Sequence, residues 1–344
     1  MGKGKKKQQG KAKAEAKAKV KAQAKGKADA KPRAAETYED AELTGKAARK
    51  SRRSKEKAAA ARSEQEVARS WSDVLRVGPG FDLTALDPRS TPGFDGGKSD
   101  GEEVMGGLQA RLSDLQERLF AESRGGGTRS VLLVIQGMDT AGKGGIMRHV
   151  VGAVDPQGVD ITAFKAPTAE EKRHPFLWRI RNALPGPGMI GVFDRSHYED
   201  VLVVRVHNLV EEPVWRERYE IINAFEAELA EAGTTALKCY LHISREEQRS
   251  RLLDRLDRPD KHWKYNPSDV DERTRWLDYQ DAYSEALTRC STDLAPWHVV
   301  PADRKWYRNW AISMILLETF ASLGLRWPQT EVDLDHERAR LAAS

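Results

Sequence analysis

The chain has 344 residues, 39% of them hydrophobic, with nine tryptophans and two cysteines. That supply of apolar side chains is enough for one large α/β domain or two modest ones, and it excludes a wholly disordered chain. The charge is uneven: residues 1–70 carry 22 Lys and Arg against 9 Asp and Glu, while the remainder carries 35 against 43, so the net +5 describes the N-terminal end only.

Residues 1–70 are low-complexity Lys/Ala/Gly sequence without an apolar stripe, which predicts a disordered or transiently helical tail. Such a tail is either a solubilising extension or an electrostatic contact for a polyanion such as nucleic acid or polyphosphate. Residues 71–103 mix Gly, Pro and Asp with Trp71, Leu75, Phe81, Leu83 and Leu86, an irregular docking arm. From Val104, Leu108, Leu112, Leu115 and Leu119 recur at helical spacing until Arg124-Gly-Gly-Gly breaks the run.

Strands and helices then alternate. Val131–Gln136, Ile161–Phe164, Met189–Phe193, Ala236–Ile243 and Trp297–Val300 read as short buried strands. Helices are expected from about Gly145, over Ala169–Ala183, His197–His207 and Pro213–Glu231, and from Asp303 to Leu323. The alternation predicts a parallel five-stranded sheet covered by helices on both faces, in a domain over 104–327 followed by a C-terminal tail over 328–344. No apolar run approaches the length of a membrane span, and the basic N-terminus is not followed by a secretory apolar region. Cys239 and Cys290 lack metal-type spacing and suit packed thiols in a reducing compartment, so the expected location is cytoplasmic.

Gly137-Met-Asp-Thr-Ala-Gly142-Lys143 has the GxxxxGK spacing of a phosphate loop, directly after a buried strand and before a helix. Glycines let amides turn inward, the helix offers its positive end, and Lys143 adds a mobile charge. Gly137, Thr140, Ala141, Gly142 and Gly144 are therefore candidate phosphate contacts. Gly144 stands where the usual loop has a Ser or Thr hydroxyl for magnesium, and Asp139 sits inside the loop. A carboxylate among phosphates needs an intervening cation, so Asp139 is a candidate magnesium ligand, or else an acceptor that shapes the turn. Asp194, at the end of the third strand, is a second candidate ligand or a helix cap, and Arg195 is placed to offset charge on a transferring group.

Arg251, Arg255 and Arg258 share one face of an expected helix, and Lys261 and Lys264 continue the basic run, although interleaved aspartates also fit a solvated face with local ion pairs. Arg148 and Arg205 are further phosphate candidates, and Lys165, Trp178 and Arg179 could shape a nucleotide side. His197 and His207 lack the partners of an acid–base or zinc site and read as capping or packing groups.

GMDTAGKGG, FKAPT, FLWRI, FDRSHYEDVLVVRV, KHWK and ADRKWYRNW, in unbroken order from about Phe81 to Trp327, closely resemble the polyphosphate kinase 2 family. The resemblance implies a three-layer P-loop kinase-like fold with a mobile helical lid at about 250–275, and a magnesium-dependent phosphotransferase working between polyphosphate and a nucleoside mono- or diphosphate, commonly as a homo-oligomer. It makes Asp139 and Asp194 the essential acids and puts Lys261 and Lys264 where the lid meets phosphates. SHYED, with Glu199, looks most like members that accept monophosphates and often diphosphates, whereas some of those carry Asn at position 194. The competing readings are an ATP-dependent nucleotide kinase and a nucleic-acid-binding P-loop NTPase that uses the basic tail.

Overall fold

The computed structural model describes residues 70–330 and 332–344; the predicted tail over 1–70 lies almost wholly outside them. Five strands, β1 (Ser130–Gly137), β2 (Val159–Ala163), β3 (Ile190–Asp194), β4 (Thr234–His242) and β5 (Trp297–Pro301), form one sheet in the order β2-β3-β1-β4-β5. Every pairing is parallel. β1 is buried along its whole length, as expected of a central strand covered on both faces. β1 and β3 are neighbours in register, Ile135 opposite Asp194, so the loop after β1 and the residue ending β3 open at the same edge.

The helices are α1 (Trp71–Leu75), α2 (Lys98–Arg124), α3 (Lys143–His149), α4 (Trp178–Arg181), α5 (Val203–Val206), α6 (Glu212–Glu231), α7 (Arg245–Asp257), α8 (Ser268–Glu272), α9 (Trp276–Arg289), α10 (Lys305–Ser322) and α11 (Leu334–Ala342). α2 starts at Lys98, before Val104, because Asp100 reaches back to accept from the Gly97 amide (2.8 Å). Along the arm, Trp71, Leu75 and Leu83 are buried in the core and Phe81 and Leu86 pack against it. Trp71 and Phe94 each meet the Trp310 ring edge-on with centroids 4.6 Å apart.

Three expected elements differ. The helix over Ala169–Ala183 is a 3-10 turn at Glu171–Arg173 followed by the single turn α4. Pro175 ends it, since the residue before a proline avoids helical backbone, and His174 is extended at φ −111°, ψ 162°. The helix over His197–His207 is split into a 3-10 turn at His197–Asp200 and α5; its valines suit a helix poorly, and Tyr198, Val201 and Leu202 are buried. Residues 328–344 contain α11, whose first amides are capped by Asp333 and which buries no residue. α9 was not anticipated, although Tyr279, Ala282, Tyr283, Ala286 and Leu287 bury one helical face. Among the described residues no helix is long and apolar enough to cross a membrane.

Candidate active site

The loop between β1 and α3 is bent by Gly137 (φ 156°) and Gly142 (φ 115°), and Thr140 takes φ 64° despite its branched side chain. Arg195, just past β3, is also at φ 64°. Such backbone costs about 1–3 kcal/mol per residue and persists only where the surroundings enforce it, which is typical of functional sites. Arg195 is held there on one side by its amide, which donates to the Ile135 carbonyl (3.1 Å), and on the other by Phe164, whose amide donates to the Asp194 carbonyl (3.0 Å).

These bends bring the two acid-bearing segments together. The Arg195 guanidinium donates to Asp139 Oδ1 at 3.0 Å, and Lys143 Nζ donates to the Gly137 carbonyl at 2.8 Å. Burial works against the Arg195 charge, but Glu199 and Asp139 outweigh it and hold the guanidinium above its ordinary range. Burial raises the Glu199 carboxyl, against the pull of Arg195 and Lys143. Gly137, Asp139, Arg195 and Glu199 line a cavity of about 230 Å³ whose opposite wall is Asn266, Asp269, Glu272 and Tyr279. The predicted lid segment therefore faces the phosphate loop.

Asp194 makes no side-chain hydrogen bond or ion pair with any described residue, and Asp139 commits one oxygen to Arg195. No group of three or more His, Cys, Asp or Glu suited to a metal exists among the described residues. Two carboxylates without a third protein ligand suit a divalent cation that keeps water and takes substrate phosphate oxygens rather than a full protein cage.

The remaining candidates bond other protein groups or lie on the surface. Arg179 is buried, donates to the Lys165 carbonyl (2.8 Å), stands 3.8 Å from Glu171 and packs over Phe164, so it braces the loop after β2. Arg205 pairs with Glu285 (2.7 Å) and lies over Trp215, in a different cavity. Arg148 and Lys165 are exposed. α7 ends at Asp257, and Arg258 is extended ahead of Pro259, so the expected common face of Arg251, Arg255 and Arg258 does not form. Arg258 pairs with Asp260, Lys261 with Asp254, and Lys264 lies over the exposed Trp263 ring. His197, which is buried, donates to Glu226 (3.2 Å), and His207 donates to Glu272 (3.0 Å).

Other contacts hold the loop from below, and nothing in the sequence signalled their direction. Gln248 donates to the Asp139 carbonyl (3.0 Å) and accepts from Arg273 (2.6 Å). Arg251 points under the loop and donates to the carbonyls of Thr140 and Ala141, both at 2.9 Å. Arg308, from α10, donates to the Ala141 carbonyl (3.1 Å). The arginine spacing drew attention to Arg251, but only the fold shows which way it points.

The family model described as Polyphosphate kinase 2 (PPK2) matches residues 96–324. An AMP/ADP-polyphosphate phosphotransferase of Meiothermus ruber is 48% identical over 251 residues, 73% of this chain and 92% of that one. An ADP-polyphosphate phosphotransferase of Rhodopseudomonas palustris is 42% identical over 270 residues, 74% of this chain and 92% of the relative. The crystal structure of Polyphosphate Kinase 2 from Arthrobacter aurescens superposes with a TM-score of 0.79 at 54% identity, covering 80% of this chain and 98% of that one.

Proposed function

The chain belongs to the polyphosphate kinase 2 family, and from that premise we propose that it moves a phosphoryl group between inorganic polyphosphate and AMP or ADP, with magnesium at Asp139 and Asp194. One observation carries the site assignment: Asp139 in the phosphate loop is ion-paired to Arg195, the residue after Asp194, at 3.0 Å. Acid, arginine and loop lysine thus share one small volume.

In the synthetic direction, a terminal oxygen of the nucleotide attacks the end phosphorus of the chain in line. A new P–O bond forms as the bridging P–O bond breaks, and the shortened polyphosphate leaves as an anion. The attacking oxygen is already anionic, so no strong general base is needed. Loop amides and Lys143 hold the phosphates, and Arg195 offsets charge as it develops. When bound, magnesium would neutralise phosphate charge and fix the reacting oxygens. The segment with Arg258, Lys261 and Lys264 would close over the chain and exclude water, favouring transfer over hydrolysis. A cytoplasmic homo-oligomer belongs to the same reading; Cys239 and Cys290 are buried free thiols, which suits a reducing compartment.

The test is incubation of the protein with polyphosphate, AMP or ADP and magnesium, without ATP, and chromatography of the products. New ADP or ATP is expected, and Asp139→Asn or Asp194→Asn should abolish it while the protein stays folded. Transfer only from ATP would favour a nucleotide kinase, and full activity of either variant would overturn the assignment of the acids.

A further inference from the structure

The loop rests on a cation that the mechanism above does not use. Arg308 is 3% exposed, and its guanidinium donates to the Ala141 carbonyl at 3.1 Å and to the Asn309 side-chain oxygen at 3.2 and 2.9 Å. None of these acceptors is charged, and no carboxylate pairs with Arg308 among the described residues. Arg251, the neighbouring cation, has Glu247 at 2.8 Å. A buried charge held only by amide oxygens is costly, and a stable fold keeps one where something else recovers the loss.

The glycines show how closely Arg308 is applied. A Cβ on Gly142 would stand 1.6 Å from Arg308 Nη1, and one on Gly145 would stand 2.5 Å from Nη2, whereas one on Gly144 would meet nothing within 4 Å. Two of the three glycines around Lys143 thus leave room for the guanidinium beneath the loop, and Gly142 also has a left-handed backbone (φ 115°). Burial, with Arg251 adding to it, presses the Arg308 group down to about 9, the direction that an anion bound above the loop would reverse.

We infer that Arg308 is a positioning residue for phosphoryl transfer: it props the phosphate loop through the Ala141 carbonyl and places an unpaired positive charge under the bound phosphates. This rests on the loop being the phosphate site. It goes beyond packing, since an apolar side chain of similar length would fill the space without supplying charge.

The test compares Arg308→Met, Arg308→Lys and Gly145→Ala in the full chain, measuring KM for polyphosphate, kcat, tripolyphosphate binding by calorimetry, and melting temperature. Arg308→Met should raise KM for polyphosphate roughly tenfold, the scale of one lost charge-assisted contact, and Arg308→Lys should recover most of it. Gly145 has no left-handed backbone, so its methyl displaces the guanidinium without removing it. It should weaken tripolyphosphate binding, and adding it to Arg308→Lys should cost little more than Arg308→Lys alone. Wild-type KM and tripolyphosphate affinity in Arg308→Met, with only the melting temperature lowered, would overturn the inference. If Arg308→Met does not fold, wild-type tripolyphosphate binding by Gly145→Ala, or effects that multiply in the double variant, would overturn it equally. Absence of transfer by the wild type would count against the proposed function, with Arg308 still judged by tripolyphosphate binding.

Discussion

Lys238 is fully buried in β4, and its ammonium group spends its protons on Glu226 (2.5 Å), the Cys290 carbonyl (2.6 Å) and the Tyr198 hydroxyl (2.8 Å). Glu226 also meets His197 (3.2 Å) and accepts from Tyr198 (2.9 Å), so one buried network fixes the turn that follows Arg195. Lys238→Met removes the cation and strands the carboxylate, a loss of about 3–5 kcal/mol. For a domain of this size that lowers the melting temperature by on the order of 10 °C. The pH dependence is the sharper part. Burial pushes the Glu226 carboxyl up, but Lys238 and then His197 outweigh it, so the carboxyl titrates below its ordinary 4.5. A depressed acid contributes stability above the unfolded value and loses it as pH falls through the folded one. Without Lys238 the sign reverses: burial raises the carboxyl, the folded state binds the proton more tightly, and the penalty is full at neutral pH and fades on acidification. Urea denaturation of both proteins at about pH 8 and about pH 5 should show the deficit narrowing toward the acid end. Adding Glu226→Gln should restore part of the loss. A deficit below about 1 kcal/mol, or one that does not change with pH, would refute this account of the network.

Two further substitutions probe the loop and the lid. Gly144→Ser should change stability by no more than about 0.5 kcal/mol, because its side chain meets open space and its backbone is ordinary, as thermal melts would show. Lys264→Ala, on an exposed residue, should leave the melting temperature unchanged and raise the polyphosphate KM a few-fold, the gap closing as salt is added. A salt-independent KM would remove Lys264 from the polyanion path.

The parts of the fold written in local pattern were legible in the sequence. All five strands fall within two residues of their expected bounds, because each is a short apolar run between turn signals. The phosphate loop was equally plain, since its glycines, lysine and flanking strand are contiguous. What could not be read was direction. Arg179 and Arg251 look alike as arginines on short helical stretches, yet Arg179 turns to the loop after β2 and Arg251 to the loop after β1. Pro175 should have stopped the helix expected over Ala169–Ala183, a signal present but outweighed by the residues around it.

Net charge was no guide to the site either. The chain beyond residue 70 is acidic overall, with 43 Asp and Glu against 35 Lys and Arg, yet its substrates are proposed to be polyanions. The structure reconciles the two by where cations are left uncompensated. Arg205, Arg216, Arg218 and Arg289 are each paired with a carboxylate away from the phosphate loop. Lys143 and Arg308 instead bond neutral oxygens of the loop or its neighbours, and Arg195 pairs with an acid that is itself proposed to bind a metal. Attraction for phosphate falls with distance and is weakened by every nearby counter-charge. A few cations without strong partners at one concave edge therefore outweigh many paired ones spread over the surface. By the same reasoning, the acids lining the cavity beside the loop, Asp269 and Glu272, are muted by their own partners, Arg255 at 2.9 Å and His207 at 3.0 Å, so their repulsion of a polyanion is small. Asp139, an acid inside the loop, is likewise muted by Arg195 at 3.0 Å.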